Sequence, residues 1–200
     1  MNGNGFATWE DAVTWLLQSP EKRDLVRACY YDRPPLEAAR RYWQDPEWQA
    51  LRTYFPARKG DALDVGAGMG IASYALAKDG WRTCALEPDP SALVGAEAIR
   101  TLARAGAVDI EVVQEWGEGL PFGDAAFDLV HARQVLHHAR DLRKFCAELF
   151  RVLRSGGVLA ATREHVISSP GQLPAFLERH ELHRYYGGEN AYMLRTYSPR

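Results

Sequence analysis

From Asp61 onward the chain alternates short apolar runs with segments of helical periodicity. The apolar runs fall at 61–65, 82–87, 109–114, 127–132 and 157–163, each the length of a strand buried on both faces. Between them, Ile71–Lys78, Ser91–Arg104, a short turn at Gln134–His138 and Leu142–Leu153 carry helical spacing. The last is the clearest. Leu142, Phe145, Cys146, Leu149, Val152 and Leu153 recur at helical intervals, while Arg143, Lys144, Glu148, Arg151 and Arg154 lie mainly elsewhere. Gly156 and Gly157 read as the stop of that helix, and its cations as a solvated face with no functional role. Strand and helix in alternation predict an α/β architecture, a parallel sheet with helices on both faces.

Upstream the pattern is helical. Residues 8 to 31 read as two short helices: Thr8 is an N-cap before Trp9, and Val13, Leu16 and Leu17 form a stripe that ends near Ser19-Pro20. Leu25, Val26 and Cys29 mark the second helix; Asp32-Arg33-Pro34-Pro35 then breaks the pattern before a further helix, Leu36 to Trp43. The chain thus divides into an N-terminal helical cap, 1–58, and a sheet-forming domain, 59–200, within one globular unit. Tyr30, Tyr31, Tyr42 and Trp43 are read first as core packing and second as a lid over a ligand.

Composition narrows the partners. At 200 residues, with 46% hydrophobic content and a formal net charge of −2, the chain has no basic surplus with which to hold nucleic acid. No run approaches the ~20 apolar residues of a membrane span, and the polar start lacks a secretory pattern. Cys29, Cys84 and Cys146 are odd in number and lie among apolar neighbours, which suits buried thiols and a cytoplasmic setting.

The candidate chemistry lies in Leu63-Asp64-Val65-Gly66-Ala67-Gly68-Met69-Gly70, where a strand gives way to a helix. Bare backbone at Gly66 and Gly68 lets a nucleoside approach a helix start. Glu87 ends the next strand about 20 residues on, where a carboxylate can accept from ribose hydroxyls. Together they indicate an adenosine-containing ligand. The dinucleotide fingerprint requires G-x-G-x-x-G, and Ile71 stands where its third glycine would be, which argues against a dinucleotide-dependent oxidoreductase. No G-x-x-x-x-G-K-[ST] loop is present for a nucleoside triphosphate.

Leu63 to Gly70 resembles motif I of class I S-adenosylmethionine-dependent methyltransferases, in particular the small-molecule, ubiquinone-biosynthesis-like branch (methyltransferase type 11). Glu87-Pro88-Asp89, Leu120-Pro121-Phe122, Phe127-Asp128-Leu129-Val130, Val135-Leu136-His137-His138 and Leu153-Arg154-Ser155-Gly156-Gly157 continue the resemblance in order, over about 59 to 165. The resemblance implies a Rossmann-like, doubly wound parallel sheet of order 3-2-1-4-5, S-adenosyl-L-methionine as cofactor, and methyl transfer to a small-molecule acceptor. It also implies roles. Gly66, Ala67 and Gly68 touch methionine and ribose; Asp64 organises the loop or meets the methionine amino group through water; Glu87 binds both ribose hydroxyls; Pro88 lies against adenine; and Glu115, Trp116 and Gly117 surround the base. Trp116 stands where the family commonly has an Asp that reads the adenine amino group, so Glu115 substitutes or the backbone at Trp116 and Gly117 does the reading. Arg133 either borders the methionine end or packs as a structural side chain.

His131, His137 and His138 have no metal-ligand spacing, so no metal is expected. His138 is the one candidate base for an oxygen acceptor, against a structural role in satisfying local backbone. After Val166, Leu173–His180 reads as a helix, and Glu189–Arg200 holds at most one weak strand, so the family's C-terminal antiparallel hairpin is expected to be missing or truncated. An oligomer would then form through the exposed sheet edge or the N-terminal helices. A non-catalytic S-adenosylmethionine-binding or scaffold protein is the alternative in a different class.

Overall fold

A computed structural model describes residues 8–164 and 169–172, with 174, 175 and 178. The expected C-terminal helix and weak strand fall largely or wholly outside the described residues.

Five parallel strands form one sheet: β1 (Asp61–Val65), β2 (Arg82–Leu86), β3 (Ile110–Val113), β4 (Phe127–Arg133) and β5 (Leu153–Thr162), in the order β3-β2-β1-β4-β5. The expected topology is the observed one. Each of the five apolar runs forms a strand; β1, β2 and β4 are buried along most of their length, which leaves no polar side to their pattern, whereas the edge strands β3 and β5 are only partly covered.

Helices cover the two faces unequally. α1 (Trp9–Gln18), α2 (Arg23–Ala28), α3 (Pro35–Gln44) and α4 (Pro46–Leu51) precede the sheet; α5 (Ile71–Lys78), α6 (Ala96–Gly106) and α7 (Leu142–Val152) follow within it. Thr8 caps α1 through a reciprocal pair of bonds with Asp11. Tyr42 of α3 and Trp48 of α4 are fully buried in one cluster with Ala62 of β1, Ala75 and Leu76 of α5, and Leu129 of β4. The opposite face packs Leu63, Val65 and Val130 against Phe145, Leu149 and Val152 of α7.

Three boundaries depart from the sequence reading. The helix expected from Ser91 begins only at Ala96, because Asp89 takes the Ser91 N–H on its side chain and the Ala96 N–H on its carbonyl, closing 89–95 into a turn. Gly156 and Gly157 do not stop α7. That helix ends at Val152 and runs directly into β5, whose glycines lie inside the strand, near a register shift opposite Phe127/Leu129 and with Gly156 at φ +78°. α4 lacks a clear periodic signal and forms behind the Asp45 cap and Pro46.

Asp79, just past α5, holds the N-terminal helices on the sheet. It accepts from the indole N–H of Trp43 at 2.8 Å and of Trp48 at 2.9 Å, and pairs with Arg52 at 3.3 Å. On the far side, Arg151 of α7 binds Glu148, Asp124 and the carbonyls of Leu120 and Phe122, while Arg154 binds Asp61, Asp128 and the Ala125 carbonyl. These cations fasten loops to the scaffold.

Candidate functional site

The turn after β1 is held down by β2. The N–H groups of Gly66 and Ala67 donate to the Leu86 carbonyl at 2.9 and 3.1 Å. Gly66 sits at φ +64°, and a Cβ there would stand 2.2 Å from Val135 Cγ2, so both backbone conformation and space require glycine. Gly68 N–H donates to Glu87 Oε2 at 2.7 Å, and Asp89 N–H to Oε1 at 3.0 Å. The two features selected separately in the sequence, the glycine turn and the acid, are one unit. Burial pushes the Glu87 carboxyl up to about 7, with the two N–H bonds opposing.

Asp64 is buried beneath the turn. Its Oδ2 accepts from Ser73 Oγ on α5 at 2.5 Å, and its Oδ1 lies 2.8 Å from His131 Nδ1. Asp64 and His131 are register partners across β1 and β4, so the pair exists because those strands are adjacent. Both carboxylate oxygens of Asp64 are thus engaged by side chains of neighbouring elements. The His131 ring also meets Trp48 edge-on, at 6.0 Å between centroids.

The loop after β3 carries the other expected cofactor residues. Glu115 Oε1 accepts from the N–H of Trp116 at 2.8 Å, and Trp116 is 57% exposed with the Arg140 guanidinium 5.2 Å from its ring centroid. Gly117 lies against Phe145, whose ring occupies the place of any Cβ. Pro88 is half-buried next to Glu87.

At the end of β4, Arg133 turns toward the N-terminal helices. Its Nε donates to Glu47 at 3.2 Å, and its guanidinium carbon lies 5.7 Å from the Tyr30 ring centroid and 5.3 Å from that of Tyr42. His138 is exposed, its ring 4.3 Å from that of His137. His137 is buried and meets Glu164, which also accepts the N–H groups of Val135 and Leu136 at 2.8 and 3.1 Å. Burial raises the Glu164 carboxyl, but its bonds from His137 and the two amides more than offset this, leaving it below the usual range. The sequence reading missed Glu164 and the partnership of His131. Nothing local marks either one, since each partner comes from a distant strand.

The lid-candidate aromatics divide. Tyr30 and Tyr42 are core residues, and Trp43 is tied to Asp79. Tyr31 meets Trp9 edge-on, 6.1 Å between ring centroids, and burial raises its hydroxyl. Arg33 donates to the Leu93 carbonyl, in the 89–95 turn that follows Glu87, at 3.1 Å.

Residues 63–161 match the family model described as a methyltransferase domain, of type 11. The chain belongs to the class I S-adenosylmethionine-dependent methyltransferases. Its cofactor is S-adenosylmethionine. The methyltransferase is similar to malonyl-[acyl-carrier protein] O-methyltransferase of Enterobacter lignolyticus, with 37% identity over 62% of this chain and 49% of that protein. It is similar as well to 27-O-demethylrifamycin SV methyltransferase of Amycolatopsis mediterranei, with 36% identity over 64% of this chain and 48% of that protein. The crystal structure of BH2331 from Bacillus halodurans has the same fold, at TM-score 0.60 and 22% identity over 76% of this chain and 68% of that one. The methyltransferase spans less than half the length of the curated relatives it matches, 41% to 49%. Among the described residues, no helix is long and apolar enough to cross a membrane.

Proposed function

We propose that this chain transfers a methyl group from S-adenosylmethionine to a small-molecule acceptor. The observation that carries the reading is the joining of a buried carboxylate, Glu87, to the glycine turn through Gly68 N–H. A buried acid whose oxygens meet only backbone amides is suited to take two vicinal hydroxyls. The cofactor supplies a methyl already activated on a sulfonium, so the protein's work is alignment and exclusion of water.

The residues divide this work. Glu87 accepts from the ribose hydroxyls, and Pro88 flanks the adenine. Glu115, Trp116 and Gly117 surround the base, with backbone groups and the second carboxylate oxygen of Glu115, whose Oε1 takes the Trp116 amide, reading its edge. Gly66, Ala67 and Gly68 offer bare backbone to ribose and methionine. Asp64, held by Ser73 and His131, keeps that backbone in place. Arg133 borders the methionine end from β4. His138 stands at an exposed rim as the only base candidate, and transfer by alignment needs none.

Residues 1–58 act as a cap on the domain formed by 59–200. A net charge of −2 disfavours nucleic acid as an acceptor, and the free thiols of Cys29, Cys84 and Cys146 suit a cytoplasmic setting. Among the described residues β5 is an edge strand, and that edge is the surface for self-association.

Thermal unfolding with S-adenosylmethionine, S-adenosylhomocysteine or NAD tests the cofactor. A ligand at ~100 times its dissociation constant adds about 2.7 kcal/mol. Both sulfur nucleosides are expected to stabilise the chain and NAD is not; no shift with either nucleoside overturns the proposal. Incubation with methyl-labelled cofactor and a metabolite extract, read by mass spectrometry, then identifies the acceptor.

A further inference from the structure

Among the described residues, five buried side-chain atoms have no hydrogen-bond partner, and four of them belong to one region: Tyr42 hydroxyl, His131 Nε2, Arg133 Nη2 and Thr162 Oγ1. The fifth, the Trp81 indole nitrogen, lies at the opposite edge of the sheet, ahead of β2. Arg133 and Thr162 are the last residues of β4 and β5 and are register partners, so they stand side by side at the carboxyl ends of adjacent strands. Open α/β sheets bind ligands at that edge.

Glu47 is shared at this edge, accepting from Arg133 at 3.2 Å and from Arg163 at 2.8 Å. The Arg133 side chain is only 17% exposed and lies by the Tyr30 and Tyr42 rings, so its free Nη2 is largely removed from water without a partner. An unpaired donor on a partly desolvated cation is costly unless an acceptor arrives, and the best acceptor is an oxyanion. Thr162, the register partner of Arg133, and Tyr42, whose ring lies by the guanidinium, each carry a hydroxyl donor without a partner.

The glycine turn follows β1 and Glu87 follows β2, whereas Arg133 and Thr162 end β4 and β5 and Arg163 comes next, beyond the methionine end of the cofactor as proposed above. Val135, two residues past Arg133, stands against Gly66 of the glycine turn, so the two parts adjoin. Resting on the methyltransferase reading, we infer that Arg133, with Thr162 and Tyr42, binds a carboxylate or phosphate group of the methyl acceptor. The acceptors are therefore anionic small molecules, held by their charge while the nucleophile faces the cofactor.

The test uses acetate and inorganic phosphate as probes, titrated by thermal unfolding into the free chain and into the chain with S-adenosylhomocysteine, against chloride at equal ionic strength. Either probe is expected to stabilise the wild type, with apparent affinity lowered about tenfold in Arg133→Gln and about threefold in Thr162→Val. Absence of any anion-specific shift in the wild type overturns the inference. So does an unchanged affinity in both variants, or in Thr162→Val alone if Arg133→Gln does not fold. A third arm compares S-adenosylhomocysteine with 5′-methylthioadenosine, which lacks the amino-acid carboxylate. If Arg133→Gln weakens only the former, the guanidinium serves the cofactor and the inference fails. Anion binding without S-adenosylhomocysteine binding supports the site while defeating the methyltransferase reading, so the two failures are distinguishable.

Discussion

Glu87 couples protonation to both stability and ligand binding. Its folded value of about 7 exceeds the ordinary 4.5, so the folded chain holds a proton that the unfolded chain has lost between those values. Stability of the unliganded chain is therefore greatest below the ordinary value and falls as pH rises toward about 7. Ribose hydroxyls donate to the ionised form, so affinity for S-adenosylhomocysteine moves the other way. Calorimetric titration at pH 6 and 8 is expected to show up to about tenfold tighter binding at the higher pH, and Glu87→Gln to bind weakly with no pH dependence. Equal wild-type affinities would remove the carboxylate from the ribose site. At Gly66, alanine meets both a positive φ and Val135, so Gly66→Ala should cost about 1–2 kcal/mol from the backbone alone. In Gly66→Ala/Val135→Ala the 2.2 Å contact with Cγ2 is removed, while the Cβ of residue 135 at 2.9 Å and the backbone cost remain, so only part of the loss is recovered, which urea unfolding can resolve.

Elements here are joined by single polar residues at their ends. Glu164, just past β5, holds the 135–137 segment after β4 through two amides and His137. Its carboxyl is depressed, so this contribution is fully present above the ordinary carboxylate range and is lost as pH falls through the lowered folded value. Glu164→Ala leaves two amides without their acceptor, and is expected to cost about 2 kcal/mol and to speed hydrogen exchange at Val135 and Leu136. Unchanged exchange at those amides would show that the segment is held by packing alone. The central strands and α7 were legible from periodicity because burial dictates residue type along each of them. The ends were not: the start of α6 depended on the Asp89 turn, and the passage from α7 into β5 on pairing with β4.

For the molecule as a whole, the cap and the sheet share one core, and Asp79 is its polar anchor. Asp79→Ala would leave the indole N–H groups of Trp43 and Trp48 without partners, an expected loss of about 2–4 kcal/mol; Asp79→Asn keeps acceptors and should lose less. Equal losses in the two variants, measured by denaturant unfolding, would discount those bonds. Sequence by itself determined the alternation of strands and helices, the glycine turn, the acid at the end of the second strand, and through them the family. Those features are short-range, since a turn that needs φ above zero or a strand buried on both faces restricts the residues at its own positions. Tertiary structure alone decided which residues the turn leans on, pairing Asp64 with His131, Gly68 with Glu87 and Glu47 with two arginines. The partners in each pair are far apart in the chain, and only the order of strands and the seating of the cap bring their charges together.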